Sequence, residues 1–220
     1  MEPSPLSVEV KAMARIKEYD RRSGKKRKRN PVVYIICEGA ETEPRYFRAF
    51  RTRYCNIDII PLSSSYKSAD SLVRKTKSTL GENPYYPDEG DAVWCVFDCD
   101  ENTNEMLRSA KVLADKSGYR IAYSNPCFEY WYLLHYAEHS GYLENCDAVI
   151  RQLQIKGRLQ GYSKADDLYP VLLPMQPDAI KRAEKRARDV SKEYGFLLRR
   201  ETNPVTNVYE LVEFLNEKRQ

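Results

Sequence analysis

The sequence predicts an α/β fold in which a mostly parallel sheet is flanked by helices and followed by a helical C-terminal extension. Two runs of β-branched, aromatic and other apolar residues, at positions 32–37 and 92–97, are typical of strands that are buried on both faces. Helical segments alternate with such runs, as in a parallel sheet with crossover helices. After His139 the pattern changes to helices alone.

The elements follow in a regular order. Pro31 precedes the first strand, where proline is tolerated, and the first helix begins near Thr42 and Glu43, which suit a cap and the positive end of the helix dipole. Further strands are predicted at residues 56–62, 91–97 and 119–124, and helices at residues 68–80, 104–117 and 127–136. The extension is predicted to hold helices at residues 146–154, 178–194 and 205–218.

These elements predict three parts: a basic N-terminal arm (1–30), an α/β core (31–140) and a helical extension packed on the core (141–220). No apolar stretch approaches the roughly 20 residues that span a bilayer, and the N-terminus lacks the pattern of a secretory signal. We therefore expect a cytoplasmic protein without a membrane partner. The sequence does not indicate the oligomeric state.

Cysteine and histidine give little sign of a metal centre. The six cysteines form no Cys-x-x-Cys pair, so we interpret them as reduced, mostly small apolar residues rather than a disulfide framework or a zinc site. The two histidines, His135 and His139, are four residues apart but lack the third ligand and the base of zinc-hydrolase motifs.

Carboxylates follow two of the predicted strands. Glu38 and Gly39 come after the first run, and Asp98 and Asp100 come after the run at residues 92–97. Because the ends of parallel strands meet at one edge of a sheet, these three carboxylates are expected to lie together, where they repel one another unless a cation intervenes. Oxygen ligands suit Mg²⁺ or Mn²⁺. The alternative is that the aspartates only end a strand and cap a helix, with Glu38 exposed.

Basic residues are concentrated in two places, although the net charge is only +4. The first group precedes the first strand and comprises Lys25, Lys26, Arg27, Lys28 and Arg29. The second lies on a predicted helix and comprises Lys181, Arg182, Lys185, Arg186 and Arg188. Such groups attract nucleic-acid phosphates, whereas the alternative for the first group is a solvated tail.

Several segments together resemble the RloB-like family. They are Ile35-Ile36-Cys37-Glu38-Gly39, Thr42-Glu43, Tyr46-Phe47, Phe97-Asp98-Cys99-Asp100 and Ser124-Asn125-Pro126-Cys127-Phe128-Glu129-Tyr130-Trp131. The later segment Asn203-Pro204-Val205-Thr206-Asn207-Val208-Tyr209 is similar to the family's C-terminal signature. The resemblance covers residues 30–215.

This resemblance implies a TOPRIM (topoisomerase–primase) core and a link to bacterial restriction and antiphage defence, including abortive infection. Glu38 then corresponds to the first acidic residue of the core, and Asp98 and Asp100 to its Asp-x-Asp pair. The implied activity, carried over from related TOPRIM proteins, is a metal-dependent endonuclease that cleaves DNA or RNA. Glu129 is interpreted as a further site residue or a helix-dipole partner, and Lys164 as a phosphate contact or a solvated loop lysine.

Two other functions remain open. The chain is alternatively a non-catalytic nucleic-acid-binding or regulatory subunit of a defence complex, in which a partner ATPase activates it or holds it silent. It is also compared with haloacid-dehalogenase-like phosphatases, whose Asp-x-Asp pair follows a strand and supplies the nucleophile. Against the phosphatase, Asn102 stands where Thr or Val is usual, and Glu38 and Gly39 have no role.

Overall fold

The computed structural model of the chain describes residues 30–53, 55–61, 68–81, 85–99 and 102–219. The described residues from Pro31 onward belong to one compact unit. Its centre is a five-stranded sheet with strands β1 (Val32–Cys37), β2 (Asn56–Pro61), β3 (Ala92–Asp98), β4 (Arg120–Asn125) and β5 (Val205–Thr206). The predicted α/β fold with a mostly parallel sheet, flanking helices and C-terminal helices is confirmed.

The strand order is β2-β1-β3-β4-β5. β1 pairs in parallel with β2 and β3, and β3 pairs in parallel with β4. The carboxyl ends of β1, β3 and β4 therefore share one edge of the sheet, where ligands of open α/β folds bind. We call this the carboxyl edge.

Eight α-helices are found in the described ranges, and they surround the sheet. They are α1 (Thr42–Arg48), α2 (Ala69–Leu80), α3 (Asn104–Ser117), α4 (Glu129–Tyr136), α5 (Cys146–Leu153), α6 (Tyr169–Leu172), α7 (Gln176–Tyr194) and α8 (Val208–Lys218). Short 3₁₀ helices lie at Pro87–Glu89, Leu173–Met175 and Arg200–Thr202. No described helix is long and apolar enough to cross a membrane.

The sheet has a hydrophobic core on each face, because side chains alternate along a strand. From β1, Val33 and Ile35 contribute to a core that includes residues of α1, α4 and α8, while Tyr34 and Ile36 contribute to one that includes residues of α2 and α3. The first core is rich in aromatic rings, which pack edge to face around Tyr46. Packing on both faces fixes the positions of β1 and β3, and therefore of the residues at their carboxyl ends.

One predicted helix begins later than its sequence pattern suggests. Val205 and Thr206 form β5, which pairs antiparallel with β4, and the helix starts only at Val208. The reason lies in Asn207, whose side chain accepts a hydrogen bond from the N–H of Tyr123 at 2.7 Å and donates one to Ile121 O at 2.9 Å. These bonds hold the segment against β4 in an extended conformation.

The prediction that every cysteine is reduced is wrong in one respect, because Cys127 and Cys146 form a disulfide. Cys127 lies in the turn after β4 and Cys146 begins α5, and their Cα atoms are 5.5 Å apart, within the usual range for a disulfide. A separation of 19 residues carries no recognisable motif, so only the fold brings the two together. The other cysteines, Cys37, Cys55, Cys95 and Cys99, are buried thiols.

The three-part division of the chain stays a prediction. The proposed boundary at residue 140 is crossed by the sheet itself, since β5 comes from the predicted extension and pairs with β4 of the predicted core. The predicted arm, apart from Asn30, lies outside the described residues.

Candidate functional site

Glu38 and Asp98 lie side by side at the carboxyl edge. The N–H of Glu38 donates to Val96 O at 3.0 Å, which continues the pairing of β1 with β3 by one residue. The N–H of Asp98 in turn donates to Glu38 Oε2 at 3.2 Å. Both residues are half-buried. The fold thus makes neighbours of Glu38 and Asp98, two of the three acidic residues that the sequence selects, through the Asp98 backbone. Asp100 lies outside the described residues.

The end of β3 is held by Asn102, which is fully buried. Its side-chain amide donates to Asp98 O at 2.8 Å, and its Oδ1 accepts from the N–H of Ala69, the first residue of α2, at 2.7 Å. The Arg200 guanidinium donates to Asn102 O at 2.7 Å. In the sequence, Asn102 stands out only as a departure from a phosphatase motif, and no local pattern signals that it positions the end of β3.

A second acidic residue, Glu43, lies beside the glycine that follows Glu38. Glu43 is buried, and a Cβ atom at Gly39 would collide with its carboxylate, so glycine is needed for this close approach. Burial raises the pKa of Glu43, backbone N–H groups of Glu43 and Gly39 oppose that rise, and the charge of Glu129 adds to it. The sequence predicts for Glu43 only a role at the helix dipole, and no local pattern signals its approach to Gly39.

Glu129 is the most enclosed carboxylate of this region, with only 2% of its surface exposed. Its Oε1 accepts a hydrogen bond from the Tyr162 hydroxyl at 3.0 Å and lies 3.8 Å from the Lys164 ammonium. Burial, together with the Glu129 charge, raises the pKa of Tyr162, so this phenol is a hydrogen-bond donor at neutral pH. The structure therefore brings Glu129 and Lys164 together, although they are far apart in the sequence.

The interpretation of Glu129 as a helix-dipole partner also agrees with its position. It is the first residue of α4, where a negative charge is favoured. Its Oε2 lies 3.1 Å from the Cys146 sulfur. Glu129 therefore has a structural role at the helix start in addition to its contacts with Tyr162 and Lys164.

A polar groove of about 510 Å³ opens at the ends of β3 and β4. It is lined by Cys99, Asn125, Pro126, Tyr142, Glu144, Asn145, Arg200, Glu201 and Asn203. The Asn125 amide donates to Arg199 O and Arg200 O, at 3.0 and 3.1 Å, which fixes the Arg200 backbone on the far wall. The groove begins at Cys99, one residue beyond Asp98 in the chain.

Of the two basic groups, only the one on α7 lies within the described residues. Lys25, Lys26, Arg27, Lys28 and Arg29 lie outside the described residues. Two residues of the second group pack the helix: Arg182 donates to Leu134 O at 2.7 Å, and Arg186 donates to Pro204 O at 2.8 Å. These bonds attach α7 to α4 and to the residue before β5, while Lys181, Lys185 and Arg188 are exposed on α7.

The comparisons with known proteins identify the family. No curated protein matches the chain, and no solved structure matches it. The family model described as RloB-like protein matches residues 33–215, from the second residue of β1 to within α8, which include Glu38, Glu43, Asp98, Glu129 and Lys164. Because the match spans most of the 220 residues, the resemblance inferred from the sequence is confirmed, and the chain belongs to the RloB-like protein family.

Proposed function

We propose that the chain is a divalent-metal-dependent nuclease of TOPRIM type that hydrolyses phosphodiester bonds of DNA or RNA in bacterial antiphage defence. The observation that supports this most strongly is the contact of Glu38 with Asp98 at the carboxyl edge of a mostly parallel sheet. A strand-end Glu-Gly and a strand-end Asp-x-Asp, far apart in sequence, need to be adjacent for this chemistry, and Glu38 and Asp98 are adjacent.

The donor atoms fit a hard divalent cation. Glu38 and Asp98 offer carboxylate oxygens, the ligands that Mg²⁺ and Mn²⁺ prefer. The nearby Cys37 is no competitor as a soft ligand, because burial holds the pKa of its thiol well above the usual value. Asp98, with Asp100 and Glu38, would hold the ion. When bound, the ion would supply a water of lowered pKa and positive charge for the phosphate oxygens.

The remaining steps belong to the chain itself. The N–H of Asp98 donates to Glu38 Oε2 and so fixes the orientation of this carboxylate. The other oxygen, Oε1, can then take a proton from an attacking water. Lys164 would neutralise charge on the phosphate: its ammonium lies 3.8 Å from Glu129 Oε1, and its charge acts on Glu43, which lies against Gly39. Glu129 is therefore a positioning residue in this proposal, and Lys164 is the residue that meets the substrate.

The polar groove accounts for how the substrate is held. Arg200 lines it and is fixed through its bond to Asn102, and Asn125 and Asn203 provide further polar side chains. The predicted arm residues Lys25–Arg29 would bind the flanking phosphates, since clustered cations bind nucleic acid without reading its sequence. A partner ATPase encoded nearby would regulate the activity.

The test is a cleavage assay on the full chain, alone and together with the proteins encoded beside it. Single- and double-stranded DNA and RNA are incubated with Mg²⁺, Mn²⁺ or EDTA. We expect cleavage of at least one substrate that requires metal and that Asp98→Asn removes. The matched control, Asp115→Asn, changes an exposed aspartate paired with Lys111 on α3 and should leave cleavage intact.

Binding of nucleic acid without cleavage, with and without the neighbouring proteins, would instead support the regulatory-subunit alternative. Hydrolysis of phosphate monoesters that depends on Asp98 would support the phosphatase. Either result overturns the nuclease proposal.

A further inference from the structure

A disulfide lies directly against the buried carboxylate of Glu129. It joins Cys127, in the turn between β4 and α4, to Cys146, the first residue of α5. The Cys146 sulfur is 3.1 Å from Glu129 Oε2. The sulfur atoms and the carboxylate form a single cluster, since their donor atoms lie within 4.8 Å of one another.

The two oxidation states present different partners to Glu129. As a thiol, Cys146 donates a hydrogen bond to Glu129 Oε2 across this contact. As a disulfide, the same sulfur has no proton, so Glu129 keeps only the Tyr162 hydroxyl and the Lys164 ammonium on Oε1. A buried carboxylate that loses a donor is destabilised as a charged group. Oxidation should therefore remove one hydrogen bond from the Glu129 carboxylate and change its contacts.

Cys146 is the more exposed member of the pair and is the one that a small thiol or disulfide would meet first. Cys146 is half-buried, and its neighbour Asn145 lines the polar groove, as does Pro126 beside Cys127. Cys127 itself is buried, with 1% of its surface exposed. Cys146 also sits at the N-terminus of α5, where a developing negative charge on sulfur is favoured.

We propose that Cys127 and Cys146 are a reversible redox pair. Their oxidation removes the hydrogen bond from the Cys146 thiol to the Glu129 carboxylate and thereby changes the contact of Glu129 with Lys164. This goes beyond the proposed nuclease activity and does not depend on it. The oxidant is a low-molecular-weight disulfide of the glutathione class, and the reductant is a dithiol.

The reaction balances as two exchange steps. Cys146 sulfur attacks a sulfur of oxidised glutathione, forms a mixed disulfide and releases one glutathione thiol, which carries away the Cys146 proton. Cys127 sulfur then attacks Cys146 sulfur, which forms the protein disulfide and releases the second glutathione thiol with the Cys127 proton. The protein loses two electrons and two protons, and both appear in the two glutathione molecules.

Two variants separate the donor effect from the disulfide itself. Cys146→Ser cannot form the bridge but keeps a hydroxyl that donates to Glu129, so it should mimic the reduced state under all conditions. Cys146→Ala lacks both the bridge and the donor, so it should mimic the oxidised state. The buried thiol Cys55 provides the matched control, since Cys55→Ser leaves the pair in place.

The experiment equilibrates the full chain in glutathione buffers of rising oxidised fraction and then traps free thiols by alkylation. Mass spectrometry of the peptides should show a Cys127–Cys146 bridge that forms, and that dithiothreitol reverses, in wild type and in Cys55→Ser. The reduced-minus-oxidised infrared difference spectrum should contain a carboxyl signal that Glu129→Gln removes. Cys146→Ser and Cys146→Ala should show no redox difference.

Three results would overturn the proposal. The first is that the two thiols stay unbridged in oxidised glutathione, or form a bridge that dithiothreitol does not reduce in the folded chain. The second is a reversible bridge with no carboxyl signal from Glu129, which would make the disulfide a structural link only. The third is tight binding of Zn²⁺ by the reduced pair with Glu129, detected by metal analysis, which would make the cluster a metal site.

Discussion

The backbone N–H of Asp98 donates a hydrogen bond to Glu38 Oε2 at 3.2 Å, although 60 residues separate the two in the chain. The contact exists because β1 and β3 are parallel neighbours, with Cys37 beside Val96 in the register. It holds the Glu38 carboxylate against the Asp98 backbone at the end of β3, so the negative charges of both residues lie at the carboxyl edge and repel each other. A divalent cation between them would relieve that repulsion, which is the physical basis of the proposed metal site.

The first prediction concerns metal affinity. Mn²⁺ should bind the wild-type chain weakly without substrate, because hydrated divalent ions often need phosphate oxygens to complete their shell. Asp98→Asn should weaken this binding by about tenfold or more, since it removes a charged oxygen ligand. Titration followed by electron paramagnetic resonance measures free Mn²⁺ directly. Asp115→Asn is the control, and equal affinities in all three proteins would locate the metal elsewhere.

The second prediction concerns the glycine after Glu38. In Gly39→Ala the new methyl group meets the Glu43 carboxylate, which is buried and has little room to move. We expect a loss of about 1–3 kcal/mol in the free energy of unfolding, as for other overpacked sites. Urea denaturation measures it. Gly141→Ala is the control, because its Cβ would lie 3.6 Å from the nearest atom of His139, an ordinary contact, and a similar loss there would refute the steric explanation.

The third prediction concerns acid stability. Burial lowers the pKa of His135 from 6.5 to about 4 in the folded chain. The unfolded chain therefore binds more protons between pH 6.5 and pH 4, so this contribution to stability is present above pH 6.5 and is lost as the pH falls to about 4. The free energy of unfolding should fall by about 3 kcal/mol over this pH range because of His135.

His135→Phe should lose this component and show a flatter dependence of unfolding free energy on pH, while keeping the ring contact with Trp131. In the wild type, the imidazole resonance of His135 in NMR spectra should titrate near pH 4. Titration of that resonance near pH 6.5, the usual value, would contradict the burial effect.

The fourth prediction concerns the basic arm. Replacing Lys25, Lys26, Arg27, Lys28 and Arg29 by Gln should weaken nucleic-acid binding and reduce the slope of log K against log salt, because fewer counterions are released. Fluorescence anisotropy at several salt concentrations gives the slope. The control replaces Lys185, which is paired with Glu138 on the surface of the described unit. An unchanged slope in the arm variant would show that the arm does not contact phosphate.

Much of the fold follows from the sequence because β1 and β3 are continuous apolar runs. The run at β3 and the helix Asn104–Ser117 were predicted within one residue, since the helix has Thr103 as a side-chain cap and Gly118 in a left-handed conformation at its end. The strand β5 was not predicted. Its two residues belong to the sheet only because Asn207 bonds to a strand more than 80 residues earlier, which no local pattern reveals.

In the candidate site, too, some residues follow from local sequence patterns and others do not. Glu38 and Asp98 were found because each ends an apolar run, and parallel pairing then makes them neighbours. Glu43 was missed because its sequence context is that of an ordinary helix start, and its approach to Gly39 depends on burial. The Cys127–Cys146 pair was missed because the contact is made by the turn after β4 and the start of α5, two segments without a shared motif.

The central claim is that Glu38 is a functional carboxylate, and Glu38→Gln tests it most directly. This variant keeps the shape of the side chain but removes its charge and basicity, so the melting temperature should be nearly unchanged or slightly higher as repulsion from Asp98 is relieved. Glu41→Gln is the matched control, since Glu41 is an exposed glutamate three residues after Glu38 and is paired with Arg45 of α1.

The decisive measurement is the rate of metal-dependent nucleic-acid cleavage by folded Glu38→Gln, with the neighbouring proteins present, relative to wild type and Glu41→Gln. We predict a loss of about 100-fold or more in Glu38→Gln, as for removal of a general base or metal ligand, and wild-type cleavage in Glu41→Gln. Wild-type cleavage by Glu38→Gln with an unaltered melting temperature would contradict the account.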